Sequence, residues 1–133
     1  MTSDTKDYRD VLYFVFRVLV GLLFLQHGLQ KLFGTFGGVD GTGGTVQLIS
    51  LFGLAGIIEL VGGLMITFGL FTRFGALFGI FNMIGAWVIV HIPIGWIPIL
   101  NGGELAALYF ACFLVLLAYG SRRWSLDNLF WGK

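Results

Sequence analysis

Four long apolar segments alternate with short polar or glycine-rich stretches along this chain of 133 residues. Their approximate limits are 11–33, 47–70, 74–92 and 104–120. Each comes close to the roughly 20 residues that an α-helix needs to cross the hydrocarbon core of a bilayer. The first segment is too long for the core of a signal peptide, and no Ala-x-Ala-like cleavage site follows it. The pattern therefore predicts an all-α integral membrane four-helix bundle, formed by a single domain over residues 1–133.

Three connections separate these segments, and a short tail follows the last one. Residues 34–45 contain six glycines and are expected to form a flexible loop; a phosphate-binding loop is not favoured, because no Gly-Lys-Ser/Thr follows. Residues 70–73 predict a tight turn, so the second and third helices should be antiparallel neighbours. Residues 92–103 are apolar but contain two prolines, which prevent a continuous helix and favour a position in the outer membrane interface or a return toward the bundle. The tail, residues 121–133, is expected to be a short interfacial segment on the opposite side.

The basic residues predict how the bundle is oriented. Cytoplasmic loops of membrane proteins carry an excess of Lys and Arg. If the N-terminus is cytoplasmic, Lys31 lies near the outer face and Arg17 lies within the first helix. Six further basic residues then lie on the cytoplasmic side: Lys6, Arg9, Arg73, Arg122, Arg123 and Lys133. The sequence therefore predicts that both termini are cytoplasmic.

Small residues predict which faces of the helices pack together. In lipid, close approach of backbones replaces hydrophobic burial as the main driving force for packing, so stripes of small residues should face other helices. Three such stripes occur, one on each of the last three segments: Gly56, Glu59, Gly63 and Ile66; Gly75, Gly79, Asn82 and Ala86; Glu104, Ala107, Ala111, Val115 and Ala118.

Composition narrows the class of protein further. Hydrophobic residues make up 57% of the chain and charged residues 11%, about half the charge of a typical soluble domain. A soluble protein of this size could not hide so much apolar surface, so the lipid bilayer is the expected partner. The formal charge of +1 argues against binding to nucleic acid, which calls for a basic face. Cys112 is the single cysteine, which excludes an intramolecular disulfide and a Cys-x-x-Cys motif.

Five polar side chains are predicted to gather in the outer half of the bundle, with a sixth, Glu59, beneath them. At about 1.5 Å per helical residue, Glu59 falls near the middle of the second helix and the other five lie nearer the outside. The predicted site consists of His27, Lys31, Glu59, His91, Asn101 and Glu104. Polar groups at membrane depth are costly without partners and commonly mark functional sites. The sequence therefore favours a functional pocket, without identifying a catalytic residue.

Most of these residues also have a structural interpretation, which the sequence leaves open; His91, at a helix end, fits an interfacial residue. Arg17 and Glu59 are predicted to neutralise one another as a supporting ion pair inside the bundle. Lys31 is long enough to reach the outer headgroups. Asn101 and Glu104 are suited to starting the fourth helix, where an acid complements the positive helix end.

The predicted pocket suits an amphiphilic ligand better than a metal or a haem. A metal site is not expected, because no tight His-x-x-x-His spacing is present. A b-type haem is disfavoured, because the chain has only one pair of histidines and both would have to face the cofactor. A quinone ring or polar lipid headgroup, bound through His27, Lys31 and Glu104 beneath apolar walls, fits the composition best.

The chain resembles the DoxX family of small bacterial and archaeal membrane proteins over nearly its whole length. The matching stretches are residues 17–34 and 53–63, then Gly69-Leu-Phe-Thr-Arg73, His91, Asn101-Gly-Gly-Glu104 and Ser125-Leu-Asp127. The resemblance implies four transmembrane helices in the cytoplasmic membrane. It also implies that the matching polar positions matter, without giving them a catalytic role: Arg17, His27, Lys31, Glu59, Arg73, His91, Asn101 and Glu104.

Some members of that family are associated with membrane oxidoreductase assemblies, including thiosulfate:quinone oxidoreductases. The leading hypothesis is therefore an integral membrane subunit of a redox system, with a quinone- or lipid-like ligand in the outer half of the bundle. Such a subunit would need an oxidoreductase partner protein or a bound cofactor to supply electrons, and it could form a homo-oligomer. The alternative is a non-enzymatic membrane scaffold or small-solute carrier, in which the polar cluster only orders the helices.

Overall fold

The computed structural model describes residues 3–132, and these form six α-helices and no β-strand. The helices are α1 (Ser3–Phe33), α2 (Leu51–Phe68), α3 (Thr72–Ala86), α4 (Pro98–Asn101), α5 (Glu104–Tyr119) and α6 (Leu126–Trp131). A π-helical turn, Trp87–His91, extends α3. The all-α prediction is confirmed. Lys133, which was counted among the cytoplasmic basic residues, lies outside the described residues.

Within residues 3–132, three helices are long and apolar enough to cross a membrane. They are Lys6–Phe33, Leu51–Phe68 and Thr72–His91. The fourth apolar segment is shorter, because α5 has 16 residues. The protein is therefore a helical membrane protein with at least three candidate spans.

Two helices begin at positions that hydropathy alone does not indicate. α2 begins at Leu51 rather than near residue 47, because the Ser50 hydroxyl accepts a hydrogen bond from the Gly53 amide at 3.0 Å and caps the helix. α1 begins at Ser3, well before residue 11. The polar first turns of α1 pack against the segment after α5, where Arg123 binds Asp7 at 2.8 Å and Asp10 at 3.2 Å.

Glycines bring α1 and α2 into close backbone contact. A Cβ atom at Gly28 would lie 2.5 Å from the Leu60 backbone nitrogen, and one at Gly63 would lie 2.6 Å from the Leu25 backbone nitrogen. No larger residue fits at such distances. All four members of the predicted stripe on the second helix are buried: Gly56, Glu59, Gly63 and Ile66. The prediction that this stripe faces another helix is confirmed.

The predicted packing face of the last long helix is wrong. The stripe from Glu104 to Ala118 is exposed, whereas α5 buries Tyr109, Phe113 and Leu116 on its other side. The centroid of the Phe113 ring lies 4.7 Å from the centroid of the Phe24 ring on α1. It also occupies the space that a side chain at Gly79 would fill. The bulky face of α5 is buried because a glycine on the neighbouring helix leaves room for an aromatic ring.

The glycine-rich loop between α1 and α2 is folded into compact turns. The Asp40 side chain accepts hydrogen bonds from the Thr42 and Gly44 amides, both at 2.8 Å. These amides stabilise the carboxylate and hold the pKa of Asp40 below its ordinary value. The Val46 amide donates to the Lys31 carbonyl at 2.9 Å, which ties the loop to the end of α1.

The segment after α5 closes the opposite end of the bundle. The Asp127 amide donates to the Gly69 carbonyl, and the Phe71 amide donates to the Asp127 side chain, both at 2.9 Å. Arg73 donates to the Leu117 and Ala118 carbonyls at the end of α5, both at 3.1 Å. The turn between α2 and α3 is therefore held to the C-terminal segment by hydrogen bonds in both directions.

Candidate functional site

Lys31 and Glu59 form an ion pair inside the bundle. The Lys31 Nζ atom lies 2.5 Å from Glu59 Oε1, and Glu59 is only 4% exposed. The pair forms because the glycine contacts between α1 and α2 bring the Gly28 turn of α1 level with Leu60, next to Glu59. The Lys31 side chain is 22% exposed, so it is less covered than its partner.

Asn82 on α3 is the third member of this polar group. Its Nδ2 atom donates to Glu59 Oε1 at 3.4 Å. Glu59 Oε2 is different: among the described residues, it is the one buried side-chain nitrogen or oxygen atom that has no hydrogen-bond partner. A buried carboxylate oxygen normally has a donor, because an unsatisfied one costs stability. Glu59 therefore retains the capacity to accept one more hydrogen bond.

A cleft of about 490 Å³ lies beside this polar group, between α2 and α3. Its walls are mostly apolar, with Leu54 and Phe81 exposed at the surface of the bundle. Four polar residues contribute to its lining: Lys31, Glu59, Asn82 and His91. Its volume falls within the range of small-molecule pockets. The structure thus joins three of the six predicted site residues in one cleft.

Asn101 holds the connection between α3 and α5 in shape. It is 2% exposed, its Nδ2 atom donates to the Gly95 carbonyl at 2.8 Å, and its Oδ1 atom accepts from the Gly103 amide at 2.7 Å. The His91 ring lies 3.0 Å from the Asn101 carbonyl oxygen through Nδ1. His91 therefore links this connection to the wall of the cleft, whereas Asn101 is not part of the cleft lining.

His27 and Glu104 also lie outside the lining of the cleft. The His27 ring faces α5, where it meets the Tyr109 ring edge-on at a centroid distance of 5.9 Å. Glu104 is exposed in the first turn of α5, a position that fits the helix-starting role left open by the sequence. In the part of the chain that the structure describes, no three His, Cys, Asp or Glu residues are arranged to hold a metal ion.

The predicted ion pair between Arg17 and Glu59 is wrong. Lys31 pairs with Glu59 instead. Arg17 lies about 21 Å away from Lys31 along α1, at 1.5 Å per residue, and is therefore far from Glu59. Arg17 is 1% exposed and binds backbone carbonyl groups at the other end of the bundle. Its guanidinium group donates to the carbonyls of Ile66 (3.1 Å), Ser121 (2.6 Å), Arg123 (3.3 Å) and Trp124 (2.8 Å).

Sequence reasoning assigned Asn82 to helix packing and missed its contact with Glu59. The available signal was an amide in an apolar segment without formal charge, since such a group needs a partner in lipid.

A second polar group was also missed at the Arg17 end. The Ser121 hydroxyl lies 2.7 Å from the Thr72 hydroxyl and 2.5 Å from the Asp127 carboxylate. Residue spacing in the sequence does not bring these three together.

Comparison with known proteins identifies relatives across most of the chain. The family model described as DoxX matches residues 12–92, which contain all four polar residues of the cleft. An uncharacterized protein of Haemophilus influenzae is 34% identical over 98% of this chain and 99% of its own length. A Bacillus subtilis protein named "Putative oxidoreductase CatD" is 35% identical over 88% of this chain and 86% of its own length. The search of solved structures finds no match.

Proposed function

Since the chain belongs to the DoxX family of membrane proteins, we propose that it is an integral membrane subunit of a redox system. In this proposal it holds a quinone- or lipid-like ligand in the cleft between α2 and α3. The Bacillus subtilis relative is named as an oxidoreductase. This chain has no evident redox group of its own, so electrons would come from an oxidoreductase partner protein or from a bound cofactor.

The observation that carries the proposal is the polar base of an otherwise apolar cleft. Lys31, Glu59 and Asn82 form that base within the lining of the cleft, and Glu59 carries the unpartnered Oε2 atom. An amphiphile satisfies both parts of such a cleft, because its head group can hydrogen-bond at the base while its tail contacts the apolar walls. A soluble metabolite would leave those walls exposed. The opening between two apolar helices favours a ligand that arrives from the lipid.

The proposed arrangement has four membrane-spanning helices with both termini in the cytoplasm of a bacterial or archaeal cell. α5 is about 24 Å long at 1.5 Å per residue and is proposed as the fourth span, since it returns the chain to the Arg17 end of the bundle. That end carries the exposed basic residues Arg73, Arg122 and Arg123. The distribution of basic residues therefore supports its assignment to the cytoplasmic side.

We expect a reporter fused after residue 133 to be active only as a cytoplasmic reporter. The matched fusion, inserted in the glycine-rich loop at residues 41–43, should be active only on the outer side. The physical reason is the cost of moving several cations across the membrane during insertion. An outward C-terminus combined with an inward glycine loop would reverse the proposed orientation.

Blocking the cleft should remove the bound ligand without harming the fold. A Cβ atom at Gly85 would meet no other atom within 4 Å, and Gly85 lines the cleft, so Gly85→Leu should add bulk at the cleft without a backbone clash. Gly95→Leu is the matched control, since Gly95 is equally open and lies outside the lining. We expect mass spectrometry after gentle purification to find a quinone or lipid enriched in the parent and in Gly95→Leu. The amount retained by the Gly85→Leu variant should be lower by about tenfold or more.

Equal retention by all three proteins would show that the cleft is not the binding site. If none of the three proteins retains a small molecule, the result would favour the second candidate, a non-enzymatic scaffold or small-solute carrier. One observation supports that candidate: Arg17 and Asn101 direct their hydrogen bonds to backbone groups of the fold itself. In a scaffold, substitutions at Lys31 or Glu59 would lower thermal stability and produce no separate functional loss.

A further inference from the structure

We propose that the cleft selects an amphiphile whose head group donates a hydroxyl hydrogen bond, so that it binds the reduced form of a quinone couple in preference to the oxidised form. This inference rests on the proposed function, because it assumes that a ligand occupies the cleft between α2 and α3. It adds the chemistry of the head group, which the shape and apolar character of the cleft do not define.

The hydrogen-bonding capacity of Glu59 carries the argument. Oε1 already accepts hydrogen bonds from Lys31 and Asn82, whereas Oε2 accepts none from the described residues. A carboxylate beside an ammonium group at 2.5 Å is an acceptor on both oxygens. The missing partner of Oε2 must therefore be a donor, such as a hydroxyl group.

The polar base of the cleft also has donors to offer. Lys31 has three N–H groups and Asn82 has two, and Glu59 Oε1 occupies one from each. A phenolic hydroxyl can donate to Oε2 and accept from Lys31 at the same time. A quinone carbonyl can only accept, so it would leave Oε2 unsatisfied beside it. The hydroxyl form therefore completes the hydrogen bonds of the base, and the carbonyl form does not.

Access to Oε2 requires only a small local motion. Glu59 belongs to the lining of the cleft, although its carboxylate is almost fully covered. The terminal torsion of a glutamate side chain is broad, so a small rotation of the carboxylate at little cost would bring Oε2 within reach of a hydroxyl group in the cleft. Lys31 and Asn82 stay on Oε1 during so small a rotation.

The test offers both redox forms to the protein in nanodiscs made of phosphatidylcholine. The head group of this lipid has no hydroxyl group, so the lipid itself cannot supply the missing donor. Equal amounts of decylubiquinol and decylubiquinone are equilibrated with the discs under argon, and the retained ratio is measured by chromatography against empty nanodiscs. We expect the parent protein to retain the quinol about 10- to 100-fold more strongly than the quinone, the range typical of one unsatisfied acceptor.

Glu59→Gln supplies the matched variant. Glutamine has the same shape, and its amide oxygen can still accept from Lys31, but the group left toward the ligand is then an N–H donor. The preference should shift toward the quinone by at least tenfold. The comparison of the two redox forms in the parent protein does not depend on this variant, and thermal unfolding of the variant shows whether it is folded.

The outcomes separate this inference from the proposed function. Equal retention of both forms, or a preference of the parent for the quinone, would overturn the inference while leaving a quinone-type ligand in the cleft. Retention of neither form would remove the quinone part of the proposed function itself. A monoacylglycerol that displaces the quinol would support the hydroxyl-donor requirement and make a lipid the source of the hydroxyl. Failure of that lipid to compete would support the quinol as the source.

Discussion

Replacing Lys31 with methionine should destabilise the folded protein by about 3–5 kcal/mol. The substitution keeps the length and apolar stem of the side chain but removes the ammonium group that lies 2.5 Å from Glu59 Oε1. Glu59 is 4% exposed, so its carboxylate would remain buried without a cation. A buried charge that loses its partner costs more than the pair contributed when intact. Thermal or denaturant unfolding in nanodiscs measures the loss.

The double variant Lys31→Met/Glu59→Met should recover much of the stability lost by Lys31→Met alone. Both desolvation penalties disappear together, and methionine fills a similar volume with apolar atoms. Lys6→Met is the control for removing a positive charge, because Lys6 is exposed. If the single and double variants are equally destabilised, the ion pair is not what the stability of this region depends on.

Replacing Arg17 with methionine should lower the free energy of unfolding by about 3–5 kcal/mol. The loss comes from backbone carbonyl groups that no longer have a hydrogen-bond donor, and not from a broken ion pair. Four carbonyl groups accept hydrogen bonds from its guanidinium: those of Ile66, Ser121, Arg123 and Trp124. Without Arg17 the Ser121, Arg123 and Trp124 carbonyls lose this donor, whereas the Ile66 carbonyl keeps the Gly69 amide. The segment after α5 should therefore separate from the bundle, and amide hydrogen exchange over residues 121–125 should rise sharply.

Arg17→Lys distinguishes geometry from charge in this region. Lysine keeps the positive charge but presents a compact point charge, whereas the planar guanidinium group of arginine reaches several acceptors at once. We expect Arg17→Lys to recover only a minority of the lost stability. Full recovery would show that the charge alone is required, and unchanged exchange in Arg17→Met would show that the segment is held by other contacts such as those of Asp127.

The polar pocket was predicted in part from the sequence. Lys31, Glu59 and His91 share one cleft because each lies in an apolar segment at a depth that helical geometry gives approximately. His27, Asn101 and Glu104, which the sequence groups with them, lie outside the lining of the cleft. Depth along a helix says nothing about the direction in which a side chain faces, and His27 faces Tyr109 on α5. Asn82 was recognised as a small-stripe residue, and its contact with Glu59 appears only when α2 and α3 are packed.

The choice of cation for Glu59 illustrates what residue spacing leaves undetermined. From the sequence, the rise of about 1.5 Å per residue puts Arg17 and His27 about equally far from the level of Glu59, on opposite sides of it. The actual register between α1 and α2 is set by contacts at Gly28 and Gly63, where a side chain would collide with the facing backbone. This register brings Lys31 to Glu59 and leaves Arg17 at the end of α2.

The sequence by itself determined that this is a helical membrane protein of the DoxX family, because the length of an apolar segment and the residues that interrupt it are local properties. It also determined the buried face of α2, since a glycine stripe on a helix is read directly from residue spacing. Only the tertiary structure decided the partner of Glu59, the role of Arg17 and the buried face of α5. Each of these depends on how far one helix slides or rotates against another, and that is settled by side-chain volumes on facing helices, such as Phe113 against Gly79.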